Sequence, residues 1–208
     1  LGGQTAAGVW RRHAGARLVV RQRPLQRHPP CAQLDYGATS EAVAISSAAM
    51  GAAVTADFAA IAAARANARL VGVPIDARLG SWSAAVELEP FDLVLCNPPY
   101  VPEPASREPV IVGAGGPPAS FNAGPDGRLI LDPLCAAAPG LLRRGGTALI
   151  VQSEFADVAR SVTALRDGGL QADVVARRTI AFGPVMTARA RWLEDTGRLT
   201  PGRRTEEL

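Results

Sequence analysis

The 208-residue chain has no lysine: all 22 of its basic residues are arginine. With alanine so abundant, that bias points to a GC-rich coding sequence rather than to a functional demand. Cysteine is also scarce. Cys31, Cys96 and Cys135 are odd in number, far apart and partly inside apolar runs, which excludes a disulfide framework or a CxxC metal site and leaves reduced core thiols. Long apolar runs are missing. The alanine-rich uncharged stretch, residues 42–56, is too short to span a bilayer and contains Ser46, Ser47 and Gly51. No apolar segment follows the early arginines as it would in a secretory signal. The expectation is a soluble cytoplasmic protein with no metal and no membrane partner. Acids are absent from residues 1–30, which hold six of the arginines, so the remaining sixteen face all 19 acidic residues and the body is mildly acidic. Such a segment can bind nucleic acid or the ribosome, but the expectation is a poorly ordered basic arm over residues 1–30 and one domain over 31–208.

Against these absences stands one dense stretch, Asn97-Pro98-Pro99-Tyr100, directly after the apolar run Phe91-Asp92-Leu93-Val94-Leu95-Cys96. The run is too short for an average helix and reads as a buried strand, so the tetrapeptide lies at a strand's carboxyl end. In an open α/β sheet, ligands bind outside those ends, near the switch in strand order. Both Asn97 and Pro98 precede a proline and are held extended, and neither proline has an N–H. The segment therefore offers a ligand acceptors, the Asn97 side-chain oxygen and the Pro98 carbonyl, with the Tyr100 ring beside them. Two acceptors and a ring suit a planar –NH2 group, an amide or the exocyclic amine of a base, with its nitrogen aimed at an electrophile. A proline-rich turn closing a strand is the plainer alternative.

The rest of the chain alternates strand and helix signals, an α/β pattern. Strands are expected at 31–36, 52–56, 71–79, 91–96, 147–152 and 172–180, with Pro74 pushing the third to an edge or a late start. Helices are expected from the Gly37 turn to Met50, then over 58–70, 127–138, 154–166 and 185–194. The fourth closes at Gly168-Gly169, and Pro184 opens the last. In the third helix, Leu129, Ile130, Leu134 and Cys135 should face the core. Residues 101–126 form a long loop rich in proline and glycine. Asp35, Gly37 and Ala38 make a strand-to-helix turn of the kind that approaches a nucleoside ligand. Asp57, after the second strand, is placed to accept both ribose hydroxyls or to cap the helix. Ser81 can make one hydrogen bond, and Trp82 can cover a ring or simply pack.

Residues 91–102, FDLVLCNPPYVP, resemble the fourth motif of amino-methylating methyltransferases, specifically the HemK-like branch that methylates release-factor glutamine. The resemblance continues through Phe121-Asn122-Ala123-Gly124-Pro125-Asp126-Gly127-Arg128, Phe182-Gly183-Pro184-Val185 and Arg203-Arg204-Thr205-Glu206-Glu207-Leu208. It implies a Rossmann-like class I methyltransferase fold, with a mostly parallel central sheet and helices on both faces. It also implies S-adenosylmethionine as cofactor, held by Asp35, Gly37, Ala38, Asp57, Ser81, Trp82 and Asn97, with Asn97, Pro98, Pro99 and Tyr100 binding the substrate. The implied reaction is methyl transfer to a protein glutamine N5, with a release factor as the partner that the resemblance suggests. The family's last antiparallel strand would follow residue 208, so an unpaired gap or edge is expected in the sheet.

Two other readings remain. Adenine N6 in nucleic acid presents an equivalent planar amine once the base is flipped, although no basic face outside the arm favours it. A methyltransferase-fold binding module without catalysis is the other, because Thr39 and Glu41 stand where the family has glycines and Ser81 where it has an acid.

Overall fold

The computed structural model describes residues 17–21, 43–46, 51–55, 58–72, 74–80, 85–105 and 121–208. In chain order the elements are β1 (Arg17–Arg21), β2 (Val43–Ser46), β3 (Gly51–Thr55), α1 (Phe58–Val71), β4 (Ile75–Leu79), β5 (Phe91–Cys96), α2 (Leu131–Leu141), β6 (Leu142–Val151), α3 (Val158–Asp167), β7 (Gln171–Ala176), β8 (Thr179–Ala181), α4 (Pro184–Asp195) and β9 (Thr205–Glu207). A 3-10 turn, Glu154–Ala156, precedes α3.

Seven strands form one sheet in the order β4-β3-β2-β5-β6-β1-β7, and β8 pairs with β9 in a separate ribbon. The pairs β3–β4 and β5–β6 are parallel. β2 runs antiparallel to both β3 and β5, and β1 antiparallel to both β6 and β7. It follows that β3 to β7 all point one way, while β1 and β2 run against them. After β3 the chain steps outward through α1 to β4, then returns across β2 to β5 and proceeds toward the other edge. The strand order therefore reverses beside β5, and the carboxyl end of β5 opens at that switch.

Several expectations change. Helical character up to Met50 gives way to the strand β2. Val43 and Ile45 alternate along it, and pairing on both sides outweighs the helix preference of alanine, a weak prior. The sheet is mixed, since four of its six neighbouring pairs are antiparallel. Five residues of the segment expected as an arm, Arg17–Arg21, form β1 between β6 and β7, so the gap expected in the sheet is filled from the amino-terminal side. The third strand starts late, at Ile75, just after Pro74. The expected helix at 127–138 begins only at Leu131, leaving Leu129 63% exposed. The helix expected over 154–166 breaks at Asp157, whose φ of 54° separates the 3-10 turn from α3. The expected strand over 172–180 divides into β7 and β8. The expected strand at 31–36 lies outside the described residues.

The core lies where α2 and α3 cover β5 and β6. Val94, Cys96, Ala148 and Ile150 on the strands meet Leu134 and Leu165 on the helices, all buried. The helices approach closely because Gly168, at the end of α3, has no side chain: a Cβ there would sit 3.1 Å from the Pro139 ring of α2. A second cluster gathers Val101 with Val185, Met186, Ala190 and Leu193 of α4, and Tyr100 packs against both clusters. Among the described residues, no helix is long and apolar enough to cross a membrane.

Candidate active site

The strand-ending tetrapeptide divides by burial. Asn97 is exposed, Pro98 and Pro99 are buried, and Tyr100 is partly buried. The two prolines anchor a segment that presents the Asn97 amide outward. Cys96 pairs with Ile150, so the carboxyl ends of β5 and β6 lie side by side.

The chain after the motif is clipped in place by the stretch beginning at Phe121. The Val101 N–H donates to the Phe121 carbonyl, the Ala123 N–H to the Val101 carbonyl and the Glu103 N–H to the Gly124 carbonyl, each at 3.0 Å. Gly127, with φ of 74°, then brings its backbone against Tyr100. A Cβ at that position would lie 2.6 Å from the Tyr100 carbonyl oxygen, a contact no other residue permits.

Arg128 secures that turn. It is 2% exposed, and its Nη1 donates to the carbonyls of Ala156 (2.6 Å) and Asp157 (3.1 Å) and to the Ser161 hydroxyl (2.6 Å). Its Nη2 donates to Asp132 at 2.7 Å. Ser161 passes its own hydrogen to Gln152 Oε1 at 2.7 Å, while Gln152 Nε2 is buried without a hydrogen-bond partner among the described residues. A guanidinium with this many donors is well suited to satisfying several acceptors at one buried point. On the other side of the loop, Arg189 of α4 donates to the Pro102 carbonyl at 2.9 Å and to Asn122 Oδ1 at 2.5 Å. Its guanidinium lies 5.7 Å from the Phe121 ring centre, and burial lowers its pKa from the ordinary arginine value.

A carboxyl group is buried near the same place. Ser153, just past β6, donates its hydroxyl hydrogen to Glu206 Oε2 of β9 at 2.6 Å. Desolvation pushes the Glu206 pKa up. The Tyr100 phenol is pushed well above its ordinary value, first by burial and then by the negative charge of Glu206.

Of the residues singled out in the sequence, Asn97, Pro98, Pro99 and Tyr100 are seen together at the end of β5. Asp35, Gly37, Ala38, Asp57, Ser81 and Trp82 lie outside the described residues. The sequence reading did not assign roles to Arg128, Ser153, Arg189 or Glu206. For Arg128 the Asp126-Gly127 turn gave a local hint, whereas the others are joined to the site only through the fold.

No family model matches the chain. Among curated proteins, the release factor glutamine methyltransferase of Mycolicibacterium smegmatis is 37% identical over 93 residues, 45% of this chain and 32% of that protein. The same-named protein of Rhodospirillum rubrum is 40% identical over 113 residues, 50% of this chain and 32% of that protein. A putative protein N5-glutamine methyltransferase of Methanocaldococcus jannaschii is 32% identical over 100 residues, 48% of this chain and 49% of that protein. Over about half its length this chain is similar to these glutamine methyltransferases, the HemK-like proteins. It spans about half or less of the length of these relatives, so the similarity belongs to the matching part. That the relatives are named methyltransferases agrees with a site built from acceptors and a ring.

Proposed function

We propose that this HemK-like chain has a Rossmann-like class I methyltransferase fold and transfers a methyl group to the side-chain amide nitrogen of a glutamine in a protein substrate, a release factor being the candidate that its relatives' names suggest. The observation that carries the reading is the position of Asn97-Pro98-Pro99-Tyr100. The segment leaves the carboxyl end of β5 at the switch in strand order, with Asn97 exposed and the residues behind it held by Gly127.

In this reading the Asn97 side-chain oxygen and the Pro98 carbonyl each accept one N–H of the substrate amide. The ring of Tyr100 packs on the amide plane, and the nitrogen is left aimed away from the strand end. The two prolines keep the acceptors in place with little entropy left to lose. The bound cofactor, S-adenosylmethionine, would supply an electrophilic methyl group on a sulfonium. Asp35, Gly37, Ala38, Asp57, Ser81, Trp82 and Asn97 are the residues proposed to hold it. In the described residues β3, α1 and β4 form a strand–helix–strand unit whose strands run parallel, the arrangement that carries a nucleoside ligand at its strand ends. Asp57 falls in sequence between β3 and α1, where a carboxylate can meet a ribose.

The test follows label transfer from methyl-labelled S-adenosylmethionine to a glutamine-bearing release-factor fragment, with an oligonucleotide in parallel. Label is expected on the glutamine alone. Label on adenine alone overturns the protein substrate, and no label on either overturns the methyltransferase reading.

A further inference from the structure

Helix α4 touches the acceptor segment in two ways, and neither enters the reaction described above. Its apolar side, with Val185, Met186, Ala190 and Leu193, forms one cluster with Val101, and Tyr100 packs against that cluster. Its polar contact is Arg189, which donates to the Pro102 carbonyl at 2.9 Å, two residues beyond Tyr100. The same guanidinium donates to Asn122 Oδ1 at 2.5 Å and lies 5.7 Å from the centre of the Phe121 ring. Pro102 and Asn122 belong to two different stems, joined by a parallel bridge between Val101 and Asn122. The backbone bonds between the stems use the Val101, Glu103 and Ala123 N–H groups with the Phe121, Val101 and Gly124 carbonyls. The Pro102 carbonyl takes no part in that ladder, and Pro102 has no N–H to offer it. Its bond to Arg189 is part-buried, a setting in which an acceptor left without a donor is costly. Arginine suits this place because its planar fork can meet two acceptors at once while its face lies near a ring. Lysine offers only a point charge.

We propose that Arg189 is a positioning residue of the acceptor site: by bonding the Pro102 carbonyl and the Asn122 side chain together, it locks both stems onto α4 and keeps the Tyr100 ring seated where the substrate amide packs on it. This rests on the methyl-transfer reading for the contact between ring and amide. The two bonds of Arg189 and the packing of Tyr100 beside α4 stand apart from it.

Three variants separate positioning from bulk stability. Arg189→Met keeps an apolar stem and removes every donor, Arg189→Lys keeps the charge without the fork, and Asn122→Ala removes one acceptor. With a glutamine peptide as acceptor, Arg189→Met is expected to lower kcat roughly tenfold, with KM for S-adenosylmethionine within about twofold of the unaltered chain. Arg189→Lys should regain part of that loss. Asn122→Ala should cost less turnover than Arg189→Met, and the double variant should fall no further than Arg189→Met alone, because the bond to Asn122 is already gone. A second arm needs no turnover. In Arg189→Met, hydrogen exchange at the Val101, Glu103 and Ala123 amides should rise roughly tenfold beyond any change at the amide of buried Ala148 in β6, which reports opening of the core. Unchanged kcat in Arg189→Met, a loss of activity no greater than the loss of folded protein, or equal changes in exchange at the stems and at Ala148 would overturn the proposal. Should the unaltered chain transfer no methyl to glutamine, the methyl-transfer reading falls, while exchange at the stem amides still decides whether Arg189 holds them.

Discussion

Asn97 and Gly127 show how differently two residues of one site should respond to replacement. Asn97 is exposed, so Asn97→Ala should leave stability within about 0.5 kcal/mol of the unaltered chain. Turnover should nevertheless fall on the order of a hundredfold, because the amide loses one of the two acceptors that aim it. Methyl-transfer kinetics beside a melting curve check both halves. Gly127→Ala should do the reverse at first: a side chain at φ of 74° meets the Tyr100 carbonyl, and stability should drop by roughly 1–3 kcal/mol. Glu206 adds a pH dependence with a definite sign. Its folded pKa is raised by burial, so the folded chain binds the proton more tightly than the unfolded one. That contribution is fully present below the unfolded value of about 4.3 and is lost as pH rises through the folded pKa. Denaturant midpoints measured across that window should show the unaltered chain gaining on Glu206→Gln as pH falls. The four residues of the motif were legible in the sequence because a tetrapeptide carries its own constraints: two prolines fix the backbone, and the side chains name the chemistry. Arg128 and Glu206 were not, since their partners lie 28 and 53 residues away in the chain.

Among the elements, those with strong local signals lie where they were expected. Phe91–Cys96 is a strand over the full apolar run. Phe58–Val71 is a helix. Pro184–Asp195 begins at its proline, whose missing N–H costs nothing at a helix start. α3 closes at Gly168 as expected, but its start moved because the Asp157 side chain caps it, accepting from the Arg160 N–H at 3.0 Å. That boundary depends on Arg128, which donates to the Ala156 and Asp157 carbonyls. Arg128→Ala should therefore cost roughly 3 kcal/mol by leaving buried acceptors without a donor. It should also raise hydrogen exchange at the amides of Val101 and Ala123, the bonds that hold the acceptor loop. Exchange that stays at the unaltered rate would mean that the loop is held without Arg128. β2 was misread because alanine-rich segments favour helix only weakly, and a place between two strands decides more than propensity does.

For the whole molecule, ligand binding is the most direct check. If the cofactor binds the folded chain alone, S-adenosylmethionine at a hundred times its dissociation constant should add about 2.7 kcal/mol to stability. A thermal shift with a matching trend for S-adenosylhomocysteine is expected, and no shift at millimolar concentration would argue for a binding module of another kind. What the order of residues determined by itself was local: an α/β alternation, a buried strand delivering two acceptors and a ring to its carboxyl end, and the family that this motif resembles. Periodicity, proline and glycine act over a few residues, so they can be read without knowing where the chain goes next. Which strands run against the others, which segment fills the place between β6 and β7, and which buried arginine secures the turn behind the acceptor loop were settled only by packing. Those outcomes depend on partners distant in sequence, where hydrogen bonds must be satisfied and apolar surface covered all at once.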